Sequence, residues 1–375
     1  MGSILSGLRD AEGNVLCNFR PQLEALENYY SSDGAVPVLY AKIFLALEDD
    51  FQSESVLIPV RQLGRTDWLN FDPRCRFDPK FPATTVTRYI VDAIKKQIAA
   101  VPQEAIERVF SLSQVGLHIL QGEPCFCTGH EVIRPSSKIE ENSVRVEVKS
   151  TRKEMAYAPS LAEHEAVSRV FNLISLCPDP GRIILAETLV SVMRQAYIDA
   201  GKAPQLCVFL HGPTGTQKTT MAAFLTQMYN RDKGVISPSR LNASIPAAVR
   251  LLQESQDEVV ILDDLCPAES NHVRGQQEET LIEVCRFVGD GTLPARMRGK
   301  VLSNEAPKCC ALFTGEYLVG EGSDAARLLP VEMQQPDGVK LREFQVRPLD
   351  ISTFYRFYIK WFVNNYDEVV QLLRT

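Results

Sequence analysis

The sequence has no uninterrupted apolar run of 18 or more residues. This excludes an ordinary transmembrane helix, which needs about 20 such residues to cross the hydrocarbon. It also has no basic arm. Residues 1–160 hold 18 Lys and Arg against 21 Asp and Glu, and residues 161–375 hold 22 against 26, for a net charge of -7. A surface coated in positive charge for nucleic acid is therefore excluded, and any polynucleotide contact must come from a local patch. Histidine is scarce, at five, and no Cys-x-x-Cys pair occurs among the ten cysteines. Paired-thiol zinc sites and thioredoxin-type redox sites thus lack their ligands. Several cysteines fall in apolar runs, where a reduced thiol packs as a small hydrophobe, and a cytoplasmic location is expected. The start, Met1-Gly2-Ser3-Ile4-Leu5-Ser6, lacks the basic segment and long apolar core of a signal peptide. Gly2 and Ser6 fit a loose myristoylation pattern, one short enough to recur by chance. There is no internal repeat and no low-complexity tract.

What is present is ordinary in amount, with 45% hydrophobic and 23% charged residues in 375. That length suggests two or three domains. The texture changes along the chain. Residues 36–47, 55–60 and the cleanly alternating Val144-Arg145-Val146-Glu147-Val148 read as strands, interrupted by a helix from about Thr84 to Ala100. A smaller α+β domain over residues 1–155 is expected, with no chemical motif. Cys125-Phe126-Cys127-Thr128-Gly129-His130 resembles a metal-ligand cluster, but a hairpin with buried thiols explains it better. Residues 150–160 look like a linker. Ser160-Leu161-Ala162-Glu163 fits a capping box opening a helix toward Leu176, Pro178-Asp179-Pro180-Gly181 ends that helix, and another follows over about Arg182 to Ala200. Beyond Gly201, buried strands alternate with helices, the pattern of a parallel α/β sheet, so residues 160–375 form the second expected domain.

Its first strand, Gln205–His211, runs straight into Gly212-Pro213-Thr214-Gly215-Thr216-Gln217-Lys218-Thr219-Thr220, and an apolar helix start follows. Strand, glycine-bearing loop, Lys-Thr and helix are the context of a Walker A phosphate loop. Backbone N–H groups of such a loop, with the helix N-terminus, cradle a phosphate. Lys218 would reach the β- and γ-phosphates, and the Thr219 hydroxyl would ligate Mg²⁺. The pattern asks for glycine at 217, where this chain has glutamine. A side chain there would crowd the cradle or demand a different backbone.

Glu258–Asp264 is a continuous apolar strand ending in two acids. In a parallel sheet those acids emerge beside the phosphate loop. Asp263 would hold Mg²⁺, and Asp264 would polarise the attacking water as general base. A third buried strand, Lys308–Glu316, places Thr314 at its polar end, where it would orient the lytic water from between loop and carboxylates. Arg327 precedes a further strand, Leu328–Met333. It would face a neighbouring subunit's nucleotide as a trans finger, or else serve in a local salt bridge.

In this order, Gly212–Thr220, Ile261–Asp264, Thr314-Gly315-Glu316 and Arg327 resemble the AAA+ P-loop ATPases, and more narrowly the DUF927-type proteins of phages and mobile elements, relatives of MCM-like and superfamily 3 helicases. The resemblance covers residues 160–375. It implies an α/β fold with a three-layer parallel sheet, ATP and Mg²⁺ as cofactors, and a homo-oligomeric ring, hexameric by preference, that moves on DNA without reading sequence, in replication of a mobile element or phage. No recognisable lid with a second sensor arginine follows Met333, only a turn and a helical stretch from about Ile351 to Leu373. The segment 289–303 is similar to the hairpin that carries DNA-contacting basic residues in those helicases. Arg296, Arg298 and Lys300 would supply those charges, an ordinary exposed basic loop being the plain alternative. Two other functions share these motifs: a nucleotide-gated scaffold with little hydrolysis, and a packaging or defence ATPase.

Overall fold

In the computed structural model the chain divides into two compact units, residues 1–112 with 141–147, and residues 113–140 with 148–375. The structure describes residues 7–31, 36–47, 52–65, 67–112, 114–120, 122–136, 144–148, 153–231, 234–235, 239–241, 244–267, 270–294, 296–298, 301–303, 306–319, 322 and 325–375. Gly2, Ser6 and the linker residues Ser150 to Arg152 lie outside them.

The first unit is α+β. Its five-stranded sheet runs in the order Val144–Val148, Glu107–Leu112, Phe19–Ser31, Val38–Leu47, Val56–Pro59. The Ala83–Ala99 helix buries Val86, Ile90, Val91 and Ile94 in one core with Ala41, Ile43 and Leu45 of the sheet. The longest strand, Phe19–Ser31, escapes the sequence pattern. A register shift between Leu23 and Ala25 breaks its alternation, and Glu27 is buried, with Arg145 Nη2 at 2.5 Å.

The second unit is a three-layer α/β structure. Its sheet has the order Ser239–Arg240, Gln256–Leu265, Lys308–Gly315, Cys207–His211, Leu328–Glu332, and all four neighbouring pairs are parallel. Successive side chains of a strand point to opposite faces, and both faces here are apolar. Val208, Leu210, Val259, Ile261, Cys310 and Leu312 enter one core with the Glu163–Ile174, Pro178–Val192, Lys218–Leu225 and Leu349–Asn364 helices. Cys207, Phe209, Val260, Leu262, Cys309, Ala311 and Phe313 enter the other, with Ile245–Glu254 and Asn271–Gly289. This double burial is why the strands read as unbroken apolar runs.

Several local expectations need correcting. Pro178-Asp179-Pro180-Gly181 does not end a helix; it is the first turn of Pro178–Val192, since proline at N1 forfeits only an N–H that has no partner there. That helix breaks at Met193 before Arg194–Asp199. The helix expected to open at Ser160 is capped at Ala162, whose N–H donates to Glu165 Oε2 at 3.3 Å. Residues 114–120 and 122–136 group with the second unit. There Gly116–Leu120, Glu123–Cys127 and Val132–Ile133 form a small antiparallel sheet with Cys125 and Cys127 buried. After Met333 come three helices, Gly338–Gln345, Leu349–Asn364 and Tyr366–Arg374. Among the described residues no helix is long and apolar enough to cross a membrane.

Candidate phosphate-binding site

The Cys207–His211 strand lies between Lys308–Gly315 and Leu328–Glu332. From it the chain crosses to the far edge of the sheet, returns strand by strand, and ends on its other side. Such a reversal leaves a crevice at the carboxyl ends of the strands. A cleft of about 240 Å³ lies there, lined by Thr214, Gly215, Gln217, Lys218, Thr219, Thr220, Asp263, Asp264, Leu265, Thr314, Gly315 and Glu316.

The loop after the Cys207–His211 strand has a defined backbone. Gly212 and Gly215 have φ of 151° and 88°, and Gln217 sits in the left-handed region at φ 60°, ψ 25° as N-cap of the helix that starts at Lys218. The glutamine thus adopts a conformation that glycine takes at no steric cost. Its Oε1 accepts from Thr220 Oγ1 at 3.0 Å, so the side chain lies along the helix start. Lys218 Nζ donates to Gly212 O at 2.7 Å, Pro213 O at 2.9 Å and Thr216 Oγ1 at 3.3 Å. Burial holds this ammonium below the ordinary lysine value, against the raising pull of Glu316, Asp263 and Asp264. Gly212, Pro213 and Thr216 therefore shape the site through the lysine and do not line the cleft.

Asp263 is the hub. Its Oδ1 accepts from Thr219 Oγ1 at 2.6 Å and from Thr314 Oγ1. Loop helix, carboxylate strand and central strand thus converge on one oxygen. The Thr314 hydroxyl also accepts, at 3.4 Å, from the backbone N–H of Asp264. The ladder shifts register between Leu262 and Leu265, and Asp264 has φ 77°. A bulge of this kind re-aims side chains at a strand end, and it leaves Asp264 exposed while Asp263 stays half-buried.

Two residues quoted in the sequence without a role belong to the cleft. Gly315 permits a close approach, since a Cβ there would stand 2.8 Å from Leu265 Cβ and 2.9 Å from Phe209 Cζ. Glu316 accepts from Thr214 Oγ1, and its N–H donates to Leu265 O at 2.8 Å. Their place directly after Thr314 was the available signal. Arg327 does not line the cleft. It ends the turn Ala325–Arg327 and donates from Nη2 to Asp290 Oδ1 at 2.6 Å. Arg296 lies on the strand Arg296–Arg298, which pairs antiparallel with Val301–Ser303 to give a hairpin in the segment where the sequence suggested one. Lys300 lies outside the described residues.

Among the described residues no group of three His, Cys, Asp or Glu is placed to hold a metal. The Thr219 and Asp263 oxygens form a smaller, hard-oxygen pair that fits Mg²⁺, an ion commonly bound by one or two protein groups together with substrate phosphates.

No protein-family model matches the sequence, and no curated protein matches it. Solved structures do resemble it. The "SCCmec type IV Cch - active helicase" matches with a TM-score of 0.53 and 12% identity, over 96% of this chain and 64% of that one. An apo structure of the NrS-1 C-terminal region gives 0.36 at 11% identity over 94% and 73%, and the JCV helicase 0.29 at 15% over 58% and 68%. The first of these shows a shared, helicase-like fold, and this chain spans 64% of its length.

Proposed function

We propose that this chain is an ATP-hydrolysing DNA translocase of the helicase kind, working as a ring, hexameric by preference, in replication of a mobile element or phage. The observation that carries the reading is the convergence of Thr219 and Thr314 on Asp263, at the carboxyl ends of adjacent parallel strands. Lys218 and the N–H groups of residues 212–220 bind the phosphates of ATP. Thr219 and Asp263 hold Mg²⁺, which when bound neutralises phosphate charge. Asp264 takes the proton of the attacking water. Thr314 fixes Asp263 and the Asp264 backbone and orients that water. Arg327 exchanges its Asp290 partner for a neighbouring subunit's γ-phosphate. Arg296, Arg298 and Lys300 contact DNA phosphates without reading bases.

The test is ATP turnover with and without single-stranded DNA. Wild type should be stimulated and Lys218→Ala inactive; equal turnover by both, with or without DNA, overturns the reading. Neutralising Arg296, Arg298 and Lys300 should abolish stimulation while basal turnover persists, and persisting stimulation would point to another P-loop motor. A second reading, a nucleotide-gated binding protein, is favoured by the short Asp264 side chain on its left-handed backbone. It requires thermal stabilisation by ATP without phosphate release.

A further inference from the structure

Three carboxylates line the cleft, and they are not equivalent. Asp263 is satisfied by two hydroxyl donors, and Asp264 stands on the exposed side of the bulge. Glu316 reaches the phosphate loop itself. Its Oε1 accepts a hydrogen bond from Thr214 Oγ1, and of the three it pulls most strongly on the Lys218 ammonium. Its backbone is pinned by the N–H donated to Leu265 O and by the tight contact at Gly315. The residue itself is exposed.

This placement sets up a competition. The Thr214 hydroxyl has one proton, which goes either to Glu316 or to a phosphate oxygen. Lys218 attracts Glu316 and a terminal phosphate alike, while the two anions repel each other. A diphosphate ends at the β-position, held by the loop N–H groups. A triphosphate adds a doubly charged group on the side of Lys218.

We propose that Glu316 is a specificity-determining residue that senses the terminal phosphate: it penalises triphosphate relative to diphosphate, and its side chain must release Thr214 and swing away when a γ-phosphate is bound. This rests on the phosphate-cleft reading above. Release of Thr214 then marks the triphosphate-bound state for residues beyond the Lys308–Gly315 strand.

The experiment compares dissociation constants of fluorescent ADP and a fluorescent non-hydrolysable ATP analogue, with Mg²⁺, for wild type, Glu316→Gln, Thr214→Val and the double variant. Removing one like charge a few ångströms from the γ-phosphate is worth about tenfold. Glu316→Gln should therefore tighten the triphosphate about tenfold and the diphosphate less than twofold. Thr214→Val should move the ratio in the same direction by less, and the two changes should be non-additive, because both act on one contact. A ratio unchanged in Glu316→Gln, or both nucleotides tightened equally, overturns the sensor. Lys218→Ala separates the two readings. Wild-type binding that requires Lys218, with no change in ratio, removes the sensor alone, whereas wild type binding neither nucleotide removes the phosphate cleft with it.

Discussion

Replacing Gln217 tests the backbone of the loop ahead of Lys218 directly. At φ 60° and ψ 25°, an L-residue pays about 1–2 kcal/mol that glycine does not. Glycine brings back about 0.5–1 kcal/mol of extra freedom in the unfolded chain. It also forfeits the exposed Thr220–Gln217 bond, worth about 0.5 kcal/mol. Against wild type, Gln217→Gly should thus lie between about 0.5 kcal/mol less stable and about 1 kcal/mol more stable. The sharper comparison is Gln217→Gly with Gln217→Ala, because both lose the same bond. Glycine should be the more stable by about 0.5–1 kcal/mol, the reverse of a helix interior, where alanine leads by about 1 kcal/mol. Gln217→Val should fall below both, since a β-branched residue tolerates φ > 0 poorly. Urea midpoints at constant m-value measure this order, and about 2–4 °C in melting temperature corresponds to each kcal/mol for a unit of this size. Alanine more stable than glycine would refute a left-handed residue 217, and with it the explanation of how glutamine stands in the glycine position.

Other outcomes follow from particular contacts. Thr314→Val keeps the shape of a buried side chain but removes the donor to Asp263 and the acceptor for the Asp264 N–H. It should cost about 1–3 kcal/mol in unfolding free energy and at least about tenfold in turnover, with Thr314→Ser recovering most of both; equal activity in Val and Ser variants would remove Thr314 from the mechanism. Gly315→Ala puts a Cβ 2.8 Å from Leu265 Cβ and should destabilise by about 1–3 kcal/mol, seen as a lower urea midpoint; a neutral result would mean the carboxylate strand can shift. Burial lifts the Asp257 and Glu187 carboxyls to about 7, above their values in an unfolded chain. Their contribution is therefore complete below pH ~4 and lost as pH rises through about 7. Asp257→Asn keeps an acceptor for the Leu117 N–H, which Asp257 Oδ2 holds at 2.6 Å. It should flatten the fall in stability between pH 4 and 7; an unaltered slope in urea titrations would exclude Asp257 as its source.

The parts of the site legible in the sequence are those where local pattern and burial agree. Cys207–Leu210, Val259–Leu262 and Cys309–Phe313 are apolar at every position because both sheet faces are covered, and each ends where polar residues begin. The loop Gly212–Thr220 is contiguous, so its spacing alone brings it to one place. Legibility failed where long-range contacts override local signals. Phe19–Ser31 hides a bulge and a buried Glu27 that pairs with Arg145, 118 residues away. Pro178–Gly181 reads as a breaker until its position in the first helical turn is known. The link from Leu117 to Asp257 and Gln256, about 140 residues on, has no local signal at all.

By itself the sequence determined that there would be a parallel sheet, a glycine-bearing loop at its carboxyl edge, and acids and a threonine at neighbouring strand ends, because apolar runs and contiguous loops carry their own geometry. The tertiary structure alone decided that Asp263 is the acid shared by Thr219 and Thr314, that Asp264 is turned outward on a bulge, that Gln217 occupies a glycine's conformation, and that Glu316 faces the loop. Those outcomes depend on register between strands and on the sign of single backbone angles. Neither quantity is written in residue order, since both are set by how distant segments pack.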